Sequence, residues 1–187
     1  MLNDLIADID RYRIIGSKPG LYYLLTQHAL WAIAEYRYSH WVHTRVRIPV
    51  VRQLLRLVGF VWHMNVISFT GIDLPAETQI GRGFFIGHFG CVILSGTAKL
   101  GENCNISQGV TIGVGGRGEN RGCPAIGDRV YIGPGAKLFG AITIGNDVAI
   151  GANAVVTKDL PDNAVAVGVP AKVISYDGSS EFIRFRK

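Results

Sequence analysis

Apolar and polar positions follow two different beats along this chain. Up to about residue 66 the apolar residues return every three or four positions, which places them on one face of a helix. Asp4 to Tyr12 forms a short amphipathic piece that starts acidic, and Ser17-Lys18-Pro19-Gly20 then punctuates the chain. A longer helical pattern runs from Leu21 to about His43, with Leu24, Leu25, His28, Ala29, Ala32, Tyr36 and Trp41 in phase. A further helix is predicted over Pro49 to Met64, where Val51, Leu54, Leu55, Val58 and Trp62 share one side and Arg52 and Arg56 another.

From Ile80 the beat changes to six. Aliphatics stand at Ile80 and Ile86, then after a two-residue slip at Leu94, Leu100, Ile106 and Ile112, and after a longer break at Ile126, Ile132, Leu138, Ile144, Ile150 and Val156. Eight of the twelve are followed directly by glycine, and the fifth position of most units is small or apolar, as in Ala98, Cys104, Val110, Ala136 and Ala154. Six fits neither the 3.6-residue helix nor the two-residue strand. It fits a three-faced coil with one hexad per face, the aliphatic pointing inward and the glycine helping the chain turn at a corner. Coils of this kind stack into a parallel β-helix.

Composition divides the chain at the same place. Of 24 glycines only Gly16, Gly20 and Gly59 precede residue 67, whereas Trp31, Trp41 and Trp62 all do. The expected organisation is an α-helical segment 1–66, a β-helix 67–175 and a tail 176–187. Of the net charge of +5, the first 66 residues hold +4, from eight Lys/Arg against Asp4, Asp8, Asp10 and Glu35. These bases are scattered among apolar residues without a nucleic-acid-binding module, so no nucleic-acid partner is expected. The arginine and aromatic mixture fits a solvated face opposite a packed one, the commoner arrangement. It also fits a peripheral face lying against an anionic membrane or a lipid-linked substrate.

The uncharged stretch Leu57 to Ile72 is interrupted by His63, Asn65, Ser68 and Thr70 and is shorter than the roughly 20 residues of a spanning helix. Asp4, Asp8 and Asp10 stand where a secretory leader carries bases, and Cys91, Cys104 and Cys123 form no C-x-x-C pair. A reducing cytoplasm is the simplest expectation. No metal site is expected either, because the repeat contains a single histidine.

Departures from a repeat are where chemistry is sought. One is the slip at Gly87-His88-Phe89-Gly90-Cys91-Val92, a second the glycine-rich loop Val114 to Ala125, and a third the end of the repeat from Val156 to Lys172. His88 is the lone histidine of the repeat. Moving an acyl group from a thioester to a hydroxyl needs a base for the hydroxyl proton, and a neutral imidazole suits that task near pH 7.

The hexads L/I/V-G-x-x-small-x resemble those of the hexapeptide acyltransferases, and that resemblance supplies the expected left hand of the β-helix. The run Asp73-Leu74-Pro75-Ala76-Glu77-Thr78-Gln79-Ile80-Gly81-Arg82-Gly83-Phe84-Phe85-Ile86-Gly87-His88 is similar to the D-I-H-P-x-A-x-I-G-x-G-x-x-x-D-H of the serine acetyltransferase family. The similarity continues through Gln108-Gly109-Val110-Thr111-Ile112-Gly113 to Gly168-Val169-Pro170-Ala171, with counterparts around Gln27-His28-Ala29-Leu30 and Ser39-His40-Trp41. It implies His88 as general base and Asp73 as its orienter. The segment Gly151 to Asp159 resembles the acetyl-CoA-binding end of such enzymes, implying acetyl-CoA as donor, with Ala152 and Pro134 along the pantetheine and Thr157, Lys158 and Lys172 toward the phosphates. It also implies a homotrimer with sites between subunits; the helical segment adds a further contact surface, and whether two trimers dock through it stays open at this point.

Two positions depart from the serine acetyltransferase pattern. The family's acid before the histidine is Gly87 here, and its R-H-P motif reads Gly122-Cys123-Pro124. Those family residues pair the ammonium and carboxylate of serine, and a desolvated charge without a partner is costly. Arg121, one residue out of register, could still meet the carboxylate. The loop Gly116 to Gly127 looks more like the G-x-x-x-x-x-x-C-P-x-I-G of the exopolysaccharide (colanic-acid type) O-acetyltransferases, which acetylate sugar hydroxyls. The leading expectation is therefore an acetyl-CoA-dependent O-acetyltransferase of a sugar or surface-polysaccharide precursor, with Phe89, Arg121 and Cys123 at the acceptor. Serine O-acetyltransferase is the alternative, and a non-catalytic solenoid scaffold at the membrane is the reading from another class.

Overall fold

The computed structural model describes residues 1–16 and 18–185. Ser17 of the expected Ser17 to Gly20 break, and the tail residues Arg186 and Lys187, lie outside the described residues. Four helices come first: α1 (Leu2–Gly16), α2 (Gly20–Thr26), α3 (His28–Arg45) and α4 (Pro49–Thr70). The single pattern expected from Leu21 to His43 is broken at Gln27, which is extended (φ −101°, ψ 100°). The Leu24 carbonyl that would continue the helix accepts the Trp31 indole N–H instead, at 2.6 Å. Helix α4 outlasts the boundary expected at residue 66 and runs to Thr70, with the Ser68 and Thr70 hydroxyls bonding back to the Met64 and Val66 carbonyls. It ends at Gly71, whose left-handed φ of 64° turns the chain into the first strand.

The remainder is a left-handed parallel β-helix of five coils. They comprise β1 (Ile72–Asp73), β2 (Gln79–Ile80) and β3 (Phe85–Ile86); β4 (Val92–Leu94), β5 (Lys99–Leu100) and β6 (Asn105–Ile106); β7 (Thr111–Gly113), β8 (Ala125–Ile126) and β9 (Tyr131–Ile132); β10 (Lys137–Phe139), β11 (Thr143–Ile144) and β12 (Ala149–Ile150); and β13 (Val155–Val156) with β14 (Val165–Val167). The last strand, β15 (Lys172–Ser175), folds back antiparallel on β14. Face A is β1-β4-β7-β10-β13, face B is β2-β5-β8-β11, and face C is β3-β6-β9-β12-β14 closed by β15.

The expected aliphatics sort into three ladders, one per face. Leu94, Ile112, Leu138 and Val156 stack on face A, Ile80, Leu100, Ile126 and Ile144 on B, and Ile86, Ile106, Ile132 and Ile150 on C. All are buried, as are the fifth-position residues Ala98, Cys104, Val110, Ala136 and Ala154. Burial pushes the Cys104 thiol up to about 12, so it acts as a small apolar filler.

The role expected of the hexad glycines is corrected. Those that follow an aliphatic do not make the left-handed turn, which falls on residues such as Asn103, Asp147 and Asn163, just before the small buried position. The glycines are needed because the next coil lies too close: a Cβ on Gly101 would sit 2.6 Å from the Gly127 carbonyl oxygen.

Helices α1 and α3 close the open first coil with polar side chains. Tyr36 donates its hydroxyl to the Thr78 carbonyl (2.8 Å) and accepts the Ile80 N–H (3.1 Å). Tyr12 does the same with the carbonyl and N–H of Ile86 (2.9 and 3.3 Å). Arg37 pairs with Asp8 (2.8 Å) and donates to the Ile80 and Gly81 carbonyls, while Asp8 accepts the Phe84 N–H. Arg11 donates to the Gly83 carbonyl and to Asn105 Oδ1. An edge of unpaired backbone groups is thus satisfied without another strand. The expected tail is packed: Phe182 stacks on Tyr131 with centroids 4.7 Å apart, Ile183 is buried, and the Arg184 carbonyl accepts Arg11 Nε at 2.8 Å.

Candidate active site

His88 lies at the corner where face C passes to face A, between β3 and β4. The slip is accommodated there by consecutive positive φ values at Gly90 (113°) and Cys91 (50°). The imidazole is exposed and has no hydrogen-bond partner among the described residues, so it is open to a reactant from outside. Pro134, between β9 and β10, and Ala152, between β12 and β13, occupy the same corner two and three coils further on. The Asn153 N–H donates to the Pro134 carbonyl at 2.8 Å, which stacks these two corners directly. His88, Pro134 and Ala152 therefore share one edge of the prism, spanning about 14 Å at the usual strand spacing. Lys172, paired with Val167 at the start of β15, lies near the far end of that edge.

The other expected residues lie along the edge between faces A and B. Thr157 and Lys158 follow β13 and are exposed. Arg121 and Cys123 belong to the loop between β7 and β8, which closes as a small hairpin through paired Gly115 and Gly122. Arg121 is exposed and Cys123 half-buried against the core. One chain does not gather the two groups at one point; they flank face A from opposite sides.

Asp73 and Phe89 each have a different neighbour within the chain. No hydrogen bond or ion pair joins Asp73 to His88 within the chain; Asp73 Oδ1 lies 3.4 Å from His63 Nε2. The reason is the continuity of α4 into β1, which hangs His63 over Asp73. Phe89, 53% exposed, packs edge-on to His28 at 5.0 Å, so its ring is already partly engaged.

His63 and Glu35 were not singled out by sequence. Glu35 is almost wholly buried and accepts His63 Nδ1 at 2.9 Å, so the ring is held between two carboxylates. The available signal was that Glu35 is the single acid between Asp10 and Asp73, in phase with the buried face of α3. These residues line a cleft of about 410 Å³ with Arg56 and Glu77. The hydrogen bond to Glu35 raises the His63 pKa against the opposing effect of burial, and Asp73 adds to the rise. A group whose pKa rises on folding stabilises fully below its unfolded value, about 6.5, and the gain is lost as pH climbs through the folded value. The urea midpoint of wild type should accordingly exceed that of His63→Gln most below the unfolded value, with the gap closing as pH rises through the raised folded value. A gap independent of pH would contradict this assignment.

Among the described residues no group of three or more His, Cys, Asp or Glu is placed to hold a metal ion. Lys158 and Lys172 are exposed cations with no carboxylate within 4.0 Å among the described residues, chemistry that fits the phosphates of a coenzyme A donor.

The family model described as bacterial transferase hexapeptide (six repeats) matches residues 124–158. A serine acetyltransferase of Helicobacter pylori (strain J99) is 40% identical over 154 residues, covering 82% of this chain and 85% of its own. The crystal structure of a serine acetyltransferase from Brucella abortus strain S19 superposes with a TM-score of 0.79 at 28% identity, over 95% of this chain and 70% of that one. A second structure of that protein, in complex with coenzyme A, gives the same TM-score over 92% and 67%.

Proposed function

Since the chain belongs to the serine acetyltransferase family of hexapeptide-repeat transferases, we propose that it carries the acetyl group of acetyl-CoA to the hydroxyl of L-serine. The observation that carries this reading is likeness over helices and solenoid together, 40% identity across 85% of a named serine acetyltransferase. This reverses the order of preference given by the sequence reading, in which a sugar hydroxyl came first. That the chain is an acyltransferase is common to both.

In the proposed reaction the neutral His88 imidazole takes the hydroxyl proton as the oxygen attacks the thioester carbonyl. The tetrahedral intermediate then expels the CoA thiolate, which leaves with that proton as the free thiol. Pro134 and Ala152 lie along the pantetheine on the edge that His88 shares, with Thr157, Lys158 and Lys172 toward the phosphates. A homotrimer would set one protomer's face A–B edge, carrying Arg121 and Cys123, beside its neighbour's His88 edge. Ile93, which points outward from the middle of face A and is 49% exposed, supports such a contact.

A second reading keeps the base and the donor but takes a sugar hydroxyl as acceptor. It is favoured by Gly87 and Cys123, which leave the serine ammonium and carboxylate without the family's partners at those positions. Thiol release from acetyl-CoA, measured with L-serine and separately with nucleotide sugars or oligosaccharides, decides between them. Turnover with L-serine is the expected result. Turnover confined to sugars would overturn the serine assignment, and none with any acceptor would return the scaffold reading.

A further inference from the structure

We propose that the outer face of α4 docks on an anionic lipid surface. Val50, Leu54, Leu57, Val61 and Met64 recur at alternating four- and three-residue steps and so form one stripe. They are 70, 62, 61, 55 and 48% exposed. The opposite side of the helix is the packed one: Val66 and Thr70 are buried, and Gly59 lies against Ser39 and Tyr38 of α3. An ordinary surface helix turns charge outward, whereas this one turns its aliphatics outward.

The charge around the stripe indicates what covers it. No Asp or Glu occurs between Glu35 and Asp73. Arg45 and Arg47, exposed just before α4, have no carboxylate within 4.0 Å among the described residues, whereas Arg52 and Arg56 fall on the packed side of the helix, Arg56 in the cleft with Glu35 and Glu77. Aliphatics preceded at one end by uncompensated arginines match the acyl boundary and headgroups of an anionic leaflet. A second copy packed on this face with its helix parallel would instead bring the two arginine pairs together. Beside the stripe an apolar hollow of about 440 Å³ opens between α3 and α4, edged by Trp31, Trp62 and Phe69. Indole rings suit the depth where apolar and wet layers meet. No described helix is long and apolar enough to cross a membrane, so the contact is interfacial. The inference is independent of which hydroxyl is acetylated.

Cosedimentation of the full chain with vesicles tests it, using phosphatidylcholine alone and phosphatidylcholine mixed with phosphatidylglycerol, at low and high salt. Binding is expected to the mixed vesicles, weakened by salt. Leu57→Glu/Val61→Glu should abolish it. Arg45→Gln/Arg47→Gln, which alters only exposed side chains, should weaken it about fivefold per arginine. Absence of binding to mixed vesicles, or equal binding by wild type and the arginine variant, overturns the proposal. So does a Leu57→Glu/Val61→Glu protein that sediments as a smaller oligomer yet binds vesicles like wild type, which would assign the face to a subunit contact.

Discussion

Replacing His88 with alanine should lower acetyl transfer by roughly 100- to 10,000-fold, the range for loss of a general base, while leaving the protein folded. The two halves of this expectation have separate grounds. His88 is the one histidine of the solenoid, at the corner whose edge also carries Pro134 and Ala152. Its ring is exposed and unbonded among the described residues, so truncation opens no cavity and strands no partner. Surface changes of that kind shift stability by about 0.5 kcal/mol or less. Thiol release from acetyl-CoA with the preferred acceptor measures the first, and a thermal melt at matched protomer concentration the second. A variant that turns over at the wild-type rate would remove His88 from the mechanism.

Asp8→Ala should be the most destabilising single change, at about 3 kcal/mol or more, a large part of a typical 5–15 kcal/mol. Asp8 is fully buried, and its partner Arg37 is 4% exposed. The substitution leaves Arg37 without its carboxylate and the Phe84 N–H without its acceptor. An apolar pair often replaces a buried ion pair without loss, but not in this setting. Asp8→Leu/Arg37→Met should remain destabilised, because the Ile80 and Gly81 carbonyls would also lose their donor. Urea denaturation followed by far-ultraviolet circular dichroism measures both variants. Recovery of wild-type stability in the double variant would show that the pair is not an edge cap.

Much of the solenoid was legible in advance because each hexad carries its own instruction. An inward aliphatic and a small fifth residue recur locally, and the twelve expected aliphatics fall into three buried ladders. The misread part was steric. Spacing suggested that glycine turns the corner, whereas the turn residue is the one before the small position and glycine admits the neighbouring coil. That distance exists only between coils and has no trace in a single hexad.

The site was legible as a set of motifs but not as an arrangement. His88 announced itself by interrupting the beat, and Pro134 and Ala152 by resemblance. That Asp73 engages His63, and His63 the buried Glu35, could not be read from residues separated by 10 and 28 positions with no shared pattern.

The sequence alone determined the period, and with it the three-sided coil, its core and the corner where the beat fails, because these follow from side-chain size and backbone turning within six residues. Only the tertiary structure decided which corners stack into one edge, that the helices cap the first coil through Tyr12, Tyr36, Asp8 and Arg37, and that α4 turns aliphatics outward. These depend on contacts between distant segments, where burial and the demand of unpaired backbone groups, rather than local preference, select the partners.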